Sequence, residues 1–464
     1  WEEIESPVQV VHRRIDLPWH EEDLRAASAV EAGQRWEAYV AQDRAHGFDF
    51  TRAPLMRLAL FRVGDHAWRF HWSHHHLLLD GWSSARLLSE VSAAYQALPA
   101  ERAPERDAPP AFADYVRWLA RQDAAAAERF WKTKLADFPA TTPLVLGRPE
   151  LDGTAAPGAY VEEPLLLSES DTQRLVAFAQ THRLTLNTLA QGAWAQLLSR
   201  YSGEADVVFG TIVSGRPASL PASDEMVGLF INTLPVRVRI DTRPTSAWLA
   251  QLQMDLAQQE EYAHYPLADI QTFAGLPPGV PLFESLLIFQ NYPVEEALAD
   301  ALPGLRIGEF QVSDPNNYPL TLVVTPGKRL SLQVLYDDGR FDRETIVRLL
   351  RHVETLLVGL AGAADRPNRG VALLTAAERD AILLGWNDTH APIPSDRTLA
   401  ELIEAVAAAH PERIAVRHGM EVRTYRDLVE GANRIADHLL QTAPIRPDDR
   451  IAVWMPRSPL MLET

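Results

Sequence analysis

The 464-residue sequence contains no cysteine. This absence excludes disulfide bonds, thiolate metal sites and a cysteine nucleophile within these residues, and it is compatible with the reducing cytoplasm, which is the expected location. The sequence also lacks an unbroken apolar run of about 18 residues, so we expect no membrane-spanning helix. Its opening, Trp-Glu-Glu-Ile-Glu, has neither an initiator methionine nor a signal peptide, so we expect a fragment of something longer.

Positive charge is in deficit. The chain has 44 Lys and Arg against 62 Asp and Glu, a formal net charge of −18. A surface this acidic repels phosphate backbones and anionic lipids, so neither nucleic acid nor a membrane is an expected partner. The rest of the composition, 47% hydrophobic and 23% charged, is that of an ordinary globular protein. The length predicts two or three compact units.

Hydrophobic periodicity predicts strands interleaved with helices, which is typical of an α/β protein of two lobes. Gly64-Asp65 is the expected turn of a hairpin, and Ser168 followed by acidic residues is an expected helix start. The predicted strands cover residues 55–63, 67–73, 207–210, 286–289, 320–324 and 451–454. The predicted helices cover about residues 83–98, 112–135, 185–200, 397–409 and 425–441, and residues 140–160, rich in proline and glycine, have the composition of a linker.

The stretch most informative about chemistry is residues 73–83, Ser-His-His-His-Leu-Leu-Leu-Asp-Gly-Trp-Ser. We expect the three histidines to end a strand, where a rigid sheet positions catalytic groups and the following loop opens the site. Histidine suits proton transfer because its reference pKa is about 6.5. On the residues alone, such a run is more often a mixture of core, surface and hydrogen-bonding histidines. Alternation along a strand prevents all three from converging on one ion, so no metal site is predicted.

Residues 75–83 fit the signature HHxxxDGWS, through which the chain resembles the condensation domains of non-ribosomal peptide synthetases. Further motifs of that family follow in the family's order over about residues 1–360. A looser match is His-Tyr-Pro-Leu at residues 264–267, where the usual acidic residue is missing. The closer matches are FADYVRW at 112–118, SGRP at 214–217, VGLFINTLPVR at 227–237, LFE at 282–284, FQNYP at 289–293 and NYPL at 317–320.

The sequence departs from the family at both ends. The family's opening helix and its Arg-His-Glu-x-Leu-Arg segment are absent, so we expect the chain to begin inside the first lobe. Residues 374–464 resemble the beginning of an adenylation domain, with LTAAER at 374–379, WNDT at 386–389 and RTYRDL at 423–428. The chain stops before that family's phosphate-binding and lysine motifs, so we expect no activation of amino acids by ATP. No Gly-Gly-x-Ser carrier site is present, so carriers are expected from elsewhere.

The resemblance implies two chloramphenicol-acetyltransferase-like lobes in a V with a central tunnel, followed by a partial α/β adenylation segment. The implied divisions are the first lobe at 1–140, an inter-lobe linker at 141–160, the second lobe at 161–360, a linker at 361–373 and the adenylation start at 374–464. The implied reaction is amide bond formation, in which an acceptor amine attacks a donor thioester. Phosphopantetheine arms of upstream and downstream carrier proteins deliver both groups, the domain itself binds no cofactor, and the adjacent adenylation domain is a further partner.

By its place in the signature, His76 is the catalytic histidine, and Asp80 and Gly81 complete the catalytic motif. An α-ammonium group has a pKa of about 8, so a base that accepts its proton helps at neutral pH. Whether His76 is that base, or orients the amine and stabilises a charged intermediate, stays open. Alternation along a strand predicts that His75 faces away from His76, so we assign His75 a structural role. Gly81 is expected to line the tunnel, where a side chain would block it.

Other site residues are expected to support the loop or the substrates. Asp80 is expected to pair with Arg216 of the second lobe, its alternative being an exposed acid in a turn. Trp82 and Ser83 are expected to support the loop, with Ser83 also able to cap the following helix. We assign two further residues to the substrate tunnel, Asn232 and Tyr318, and a buried structural role is the alternative for Asn232.

The resemblance is greatest to domains that take an L-configured donor. The motifs that favour them are Leu-Leu-Leu between His76 and Asp80, VGLFINTLP at 227–235 and FQNYP at 289–293. Two alternatives come from other classes. One is an ester-forming or starter acyltransferase of the same fold, and the other is a non-catalytic relative that recruits partner proteins. Intact His76, Asp80 and Gly81 favour an enzyme over the recruiting relative.

Overall fold

The computed structural model of the chain describes residues 8–98, 109–138, 140–146, 159–277, 279–290, 308, 317–393 and 396–464. These residues form a mixed α/β structure, as predicted, in two compact units, Trp1–Arg379 and Asp380–Thr464. Within the described ranges, no helix has both the length and the apolar composition that a membrane crossing requires.

The first part of the larger unit is built on a three-stranded sheet in the order β1 (Trp19–Asp23), β2 (Met56–Gly64) and β3 (Ala67–His74). Strand β1 pairs in parallel with β2, and β2 and β3 form the predicted antiparallel hairpin. Helix α1 (Ala29–His46) begins with a Ser28–Glu31 capping box and helps to bury a small core. Helix α2 (Gly81–Ala97) follows the hairpin after a short turn.

The expectation that three histidines end a strand is wrong for two of them. Strand β3 ends at His74, which pairs with Met56, the first residue of β2. The ladder therefore has no further β2 residue to continue it, and His75 N–H donates only to the carbonyl of Leu55, at 3.0 Å. Residues 75–78 form a turn, in which Leu78 N–H donates to His75 O at 3.0 Å. Strand alternation consequently does not decide where His75 and His76 face.

The helix predicted over 112–135 is two helices, α3 (Phe112–Leu119) and α4 (Ala124–Lys134). The Gln122 amide donates to the carbonyl of Trp118 at 2.8 Å, at the end of α3. The Asp123 carboxylate accepts the N–H of Ala126 at 2.9 Å and caps α4. These side-chain bonds to the backbone replace helical bonds, and they outweigh the helix propensity of the alanine run that follows.

A six-stranded sheet forms the second lobe, in the order β4-β9-β8-β7-β5-β6. Its strands are β4 (Tyr160–Leu166), β5 (Asp206–Val213), β6 (Asn232–Arg239), β7 (Ser285–Phe289), β8 (Leu320–Thr325) and β9 (Ser331–Asp337). Its helices are α5 (Glu169–His182), α6 (Leu186–Ser202), α7 (Thr245–Glu260), α8 (Leu267–Thr272) and α9 (Arg343–Ala361). The helix start predicted at Ser168 is confirmed, since its hydroxyl accepts the N–H of Asp171.

Alternate residues of the second sheet enter two separate cores. Val207 and Phe209 join a large cluster with residues of α5, α6, α7 and α9, whereas Val208 joins a second cluster with Trp131 of α4. Successive strand residues point to opposite faces, so the two clusters cover the two faces of the sheet. Helix α3 likewise buries Tyr115 against Met226 and Phe230.

These contacts bear on the predicted divisions of the chain. Helices α3 and α4, predicted within the first lobe, pack on residues of the second lobe. In the segment 361–373, Asn368 is fully buried and Val371 belongs to the large second-lobe core. The boundaries predicted at 140, 160, 360 and 373 stay predictions. Residues 147–158 of the predicted inter-lobe linker lie outside the described residues.

The short helix α10 (Ala376–Asp380) leads into the smaller unit, which opens with a π-helical stretch, Ala381–Gly385. It contains the two predicted helices, α11 (Leu399–Ala409) and α12 (Tyr425–Thr442), a hairpin of β10 (Ile414–His418) and β11 (Glu421–Thr424), and a last helix α13 (Leu460–Glu463). The strand predicted at 451–454 is wrong, because this segment is irregular and Trp454 is 99% exposed. Among the described residues no strand pairs with it, so no ladder of backbone hydrogen bonds holds it extended.

Candidate active site

The first six residues of the signature, 75–80, connect β3 to α2, and we call this connection the signature turn. Asp80 is the N-cap of α2, and its carboxylate accepts the N–H of Ser83 at 2.8 Å. Helix α2 therefore begins at Gly81, two residues earlier than predicted. The expectation that Ser83 caps the helix is wrong, because Ser83 is the third helical residue and its own N–H is the group that Asp80 caps.

The structure contains the predicted ion pair between Asp80 and Arg216. Arg216 lies shortly after β5, and its Nη2 is 3.1 Å from one Asp80 oxygen and 3.3 Å from the other. The two side chains are 0% and 7% exposed. Arg216 Nη1 also donates to the carbonyl oxygens of Ser223 and Met226, and the guanidinium lies over the Phe230 ring at 4.1 Å. A buried charge needs such a set of partners, because an unpaired one is strongly destabilising.

Further hydrogen bonds join the same turn to residues 228–230. Phe230 N–H donates to Asp80 Oδ2 at 3.1 Å. The Ser83 hydroxyl donates to Gly228 O at 2.8 Å, and it accepts from Gly228 N–H and from Arg216 Nη2, each at 3.0 Å. We call these five residues, Asp80, Ser83, Arg216, Gly228 and Phe230, the Asp80 hub. It attaches the end of the turn to the second lobe.

Two glycines, Gly228 of the hub and Gly215 next to Arg216, allow close approach of other groups. Gly215 has φ +62°, and a Cβ there would lie 1.7 Å from the carbonyl oxygen of Phe230. A Cβ on Gly228 would lie 2.2 Å from the ring of Phe112, the first residue of α3. Three separate sequence motifs, at 112–118, 214–217 and 227–237, therefore meet beside the signature turn. The sequence analysis quoted Gly228 and Phe230 within a motif but assigned them no role.

His75 and His76 have different surroundings. The ring of His75 meets the rings of Phe50 and Phe48 edge-on, with centroids 4.7 and 6.2 Å apart. Its Nδ1 accepts the N–H of Leu77 at 3.1 Å, within the turn. This geometry favours the structural role predicted for His75. His76 is half-buried on the same turn.

The residues assigned to a substrate tunnel are held by the protein itself. The Asn232 amide donates to the carbonyls of Ala263 and Tyr265, at 2.7 and 2.8 Å, and its oxygen accepts the N–H of Thr233 at 2.9 Å. This bonding favours the structural alternative for Asn232. Tyr318 stacks on Phe283 with centroids 5.3 Å apart, and burial raises the pKa of its phenol.

Gly81 is the first residue of α2, and Trp82 is 40% exposed beside it. Their roles stay predictions, as do the V and the tunnel. Residues 291–293 of the predicted motif at 289–293 lie outside the described residues.

Comparison with known proteins gives the family. The family model "Condensation domain" matches residues 2–383, and the model "AMP-binding enzyme" matches residues 403–464. Linear gramicidin synthase subunits C and B of Brevibacillus parabrevis are 38% and 39% identical to the chain over its whole length. The chain spans only 6% and 9% of those two proteins.

A solved structure of similar fold is holo-AB3403, a four-domain nonribosomal peptide synthetase bound to AMP and glycine. Its TM-score is 0.69 at 20% identity, covering 93% of this chain and 33% of that one. At this identity the likeness shows the fold alone, and the family model carries the assignment. The chain therefore belongs to the condensation domains of non-ribosomal peptide synthetases, acyltransferases that form peptide bonds, and it continues into the start of an AMP-binding domain.

Proposed function

We propose that this chain joins two carrier-bound aminoacyl groups through an amide bond. The acceptor amine attacks the carbonyl carbon of the donor thioester, the C–S bond breaks, and the donor passes to the acceptor. The neutral amine loses one proton in this exchange and the departing thiolate gains one. An acceptor that arrives as an ammonium first loses another proton to the solvent, directly or through His76. The observation that carries the proposal is the Asp80 hub, which buries the acid of the signature and attaches the histidine turn to the second lobe.

His76 is the group of the turn that acts on the amine. As a base it accepts the ammonium or amine proton, which a neutral imidazole does well near neutral pH. In the other role it orients the amine and stabilises the charge that develops as the C–N bond forms. Both roles need the imidazole at a fixed place, and the turn between β3 and α2 supplies rigid elements on both sides of it.

The substrates arrive on phosphopantetheine arms of upstream and downstream carrier proteins, and the domain holds no cofactor of its own. Bringing both arms to one site makes the reaction effectively intramolecular, which contributes about 7–11 kcal/mol. Gly81 leaves room for these arms, Trp82 supports the turn, and Tyr318 lies along their route. Asn232 supports that route from behind, because its amide holds the carbonyls of Ala263 and Tyr265. The adenylation domain that follows is the adjacent partner, and the protein acts in the cytoplasm.

The donor in this proposal is L-configured and the nucleophile is an amine. The test loads one carrier protein with an L- or a D-aminoacyl donor and a second carrier with an aminoacyl or a hydroxyacyl acceptor, and mass spectrometry identifies the product on the second carrier. We expect an amide from the L-donor and the aminoacyl acceptor. A further arm replaces the donor carrier with an acyl-coenzyme A. An ester from the hydroxyacyl acceptor alone, or product only from the acyl-coenzyme A, overturns the proposal in favour of an ester-forming or a starter domain. No product from folded protein supports the recruiting alternative.

A further inference from the structure

A second ion pair lies in the first lobe, between α1 and the hairpin that precedes the signature turn. Arg57, the second residue of β2, donates through Nε to the carboxylate of Asp43 on α1. The two side chains are 20% and 7% exposed. His71 of β3 shares the carboxylate, with its Nε2 3.1 Å from Asp43 Oδ2. The pair thus joins α1 to both strands of the hairpin whose end is followed by His75 and His76.

Arg57 also fixes the segment that leaves α1. Its Nη1 donates to the carbonyl of Gly47 at 2.8 Å and its Nη2 to the carbonyl of Asp43 at 3.2 Å. Its guanidinium lies 4.1 Å from the centre of the Phe48 ring. One planar side chain therefore holds the last turn of α1, the first residue beyond it and the aromatic ring that follows. A lysine has no comparable fork of donors.

The segment fixed by Arg57 contacts the signature turn directly. Phe48 and Phe50 present their rings to His75, and the carbonyl of Leu55 accepts the His75 N–H at 3.0 Å. His75 in turn holds the N–H of Leu77 through its Nδ1. His76 lies between these two residues, so the direction of its side chain depends on the placement of His75.

We propose that Arg57 is a positioning residue, which sets the orientation of His76 through Phe48, Phe50 and His75. This inference rests on the proposed function, because it assigns Arg57 to the reaction that His76 serves. Without the hydrogen bonds of the Arg57 guanidinium, residues 47–55 are no longer held in place. The His75 ring then loses its contacts with the rings of Phe48 and Phe50. The imidazole of His76 then samples directions that are unproductive for proton transfer or for orienting the amine.

The test is a double-mutant cycle on the rate of a single turnover, with Arg57→Gln measured in the unsubstituted protein and in the His76→Ala protein. We expect a fall of about 10- to 100-fold in the first case, with the KM for the acceptor carrier unchanged. In the His76→Ala protein we expect less than about a twofold fall, because the effects of substituting two residues are not additive when one acts through the other. Equal falls in the two proteins overturn the inference.

Arg62→Gln is the matched control. Arg62 lies on the same strand, its Nη2 donates to the carbonyl of Asp65 at 3.2 Å, and its guanidinium lies 5.5 Å from the centre of the Trp68 ring. Like Arg57, it therefore contacts a backbone carbonyl and an aromatic ring, but these lie away from His75 and include no carboxylate. We expect Arg62→Gln to leave the single-turnover rate within about twofold of the unsubstituted protein. A fall equal to that of Arg57→Gln assigns the effect to the sheet as a whole and overturns the inference.

A readout independent of turnover is the NMR resonance of the His76 ring in protein labelled with ¹³C-histidine, assigned through the His76→Ala protein. We expect Arg57→Gln and Phe50→Ala to shift or broaden this resonance, and Arg62→Gln to leave it in place. An unmoved resonance in Arg57→Gln overturns the inference. If the unsubstituted protein forms no amide while Arg57→Gln moves the resonance, the proposed function fails and the positioning contact stands.

Discussion

The signature turn is held differently at its two ends. At the Asp80 end, a fully buried carboxylate and a nearly buried guanidinium join residues that are 133 to 150 positions apart in the chain. At the His75 end, the contacts are two aromatic edges and a pair of residues 14 positions apart, Asp43 and Arg57. Burying a charge makes the loss of its partner expensive. The Asp80 pair is the more deeply buried of the two, since Arg216 is 7% exposed and Arg57 is 20% exposed. The Asp80 end should therefore govern folding, and the His75 end should govern the direction of the catalytic side chain.

The largest effect is expected from Asp80→Ala. This change leaves the Arg216 guanidinium buried without its carboxylate and removes the cap of α2, so the free energy of unfolding should fall by about 3–5 kcal/mol. Urea unfolding followed by tryptophan fluorescence measures it. Asp114→Ala is the control, since Asp114 pairs with Arg117 on the surface and exposed pairs contribute at most about 1 kcal/mol. Similar losses in the two variants would contradict the assignment of the Asp80 end to folding.

A smaller loss is expected from Gly215→Ala. The left-handed backbone costs about 1–2 kcal/mol for a residue with a Cβ. The Cβ also displaces the carbonyl of Phe230, and this movement disturbs the hydrogen bond from Phe230 N–H to Asp80, which contributes about 1–2 kcal/mol more. Gly203→Ala separates these effects, because Gly203 has φ +80° but open space around it. In the same urea experiment, Gly203→Ala should lose only the backbone part. Equal losses would show that the close approach of Phe230 to Gly215 does not contribute to the free energy of unfolding.

The smallest effect is a pH dependence at the His75 end. Burial raises the pKa of Asp43, but hydrogen bonds from Arg57 and His71 outweigh it and hold the pKa below its usual value. The folded state therefore binds fewer protons at Asp43 than the unfolded state does. This stabilisation is complete above the ordinary pKa of about 4 and is lost as the pH falls through the folded value.

The difference in unfolding free energy between the unsubstituted protein and Asp43→Asn should accordingly shrink below about pH 4. His71 and Tyr39 also lie near Asp43, so the titration is repeated in His71→Gln to remove the imidazole charge. A difference that grows toward acid would mean that the carboxyl is destabilising when ionised.

Much of the fold was predictable because its local patterns agree with its tertiary contacts. The alternation in residues 55–63 and 67–73 predicted the hairpin, and Ser168 predicted its helix start. The break at residues 120–123 was missed, because two side-chain bonds to the backbone outweigh the helix propensity of the alanine run. The end of β3 was missed because it depends on where β2 begins, which no property of the histidines reveals.

The site was predictable only in part. The ion pair between Asp80 and Arg216 followed from the family resemblance, since charge and spacing alone do not select one partner among 44 Lys and Arg. Asp80 and Ser83 are both good capping residues, and only the position of the second lobe decides that Ser83 turns its hydroxyl to Gly228. Arg57 was missed because its partners come together only when α1 packs on the hairpin.

The most direct test of the central claim compares His76→Ala with His75→Ala in single-turnover amide formation between two loaded carrier proteins. We predict that His76→Ala lowers the rate by about 10²-fold or more. We expect the midpoint of its urea unfolding to equal that of the unsubstituted protein. We predict that His75→Ala lowers the rate less and that its effect vanishes in the His76→Ala protein. Unchanged turnover in a folded His76→Ala protein would contradict the account.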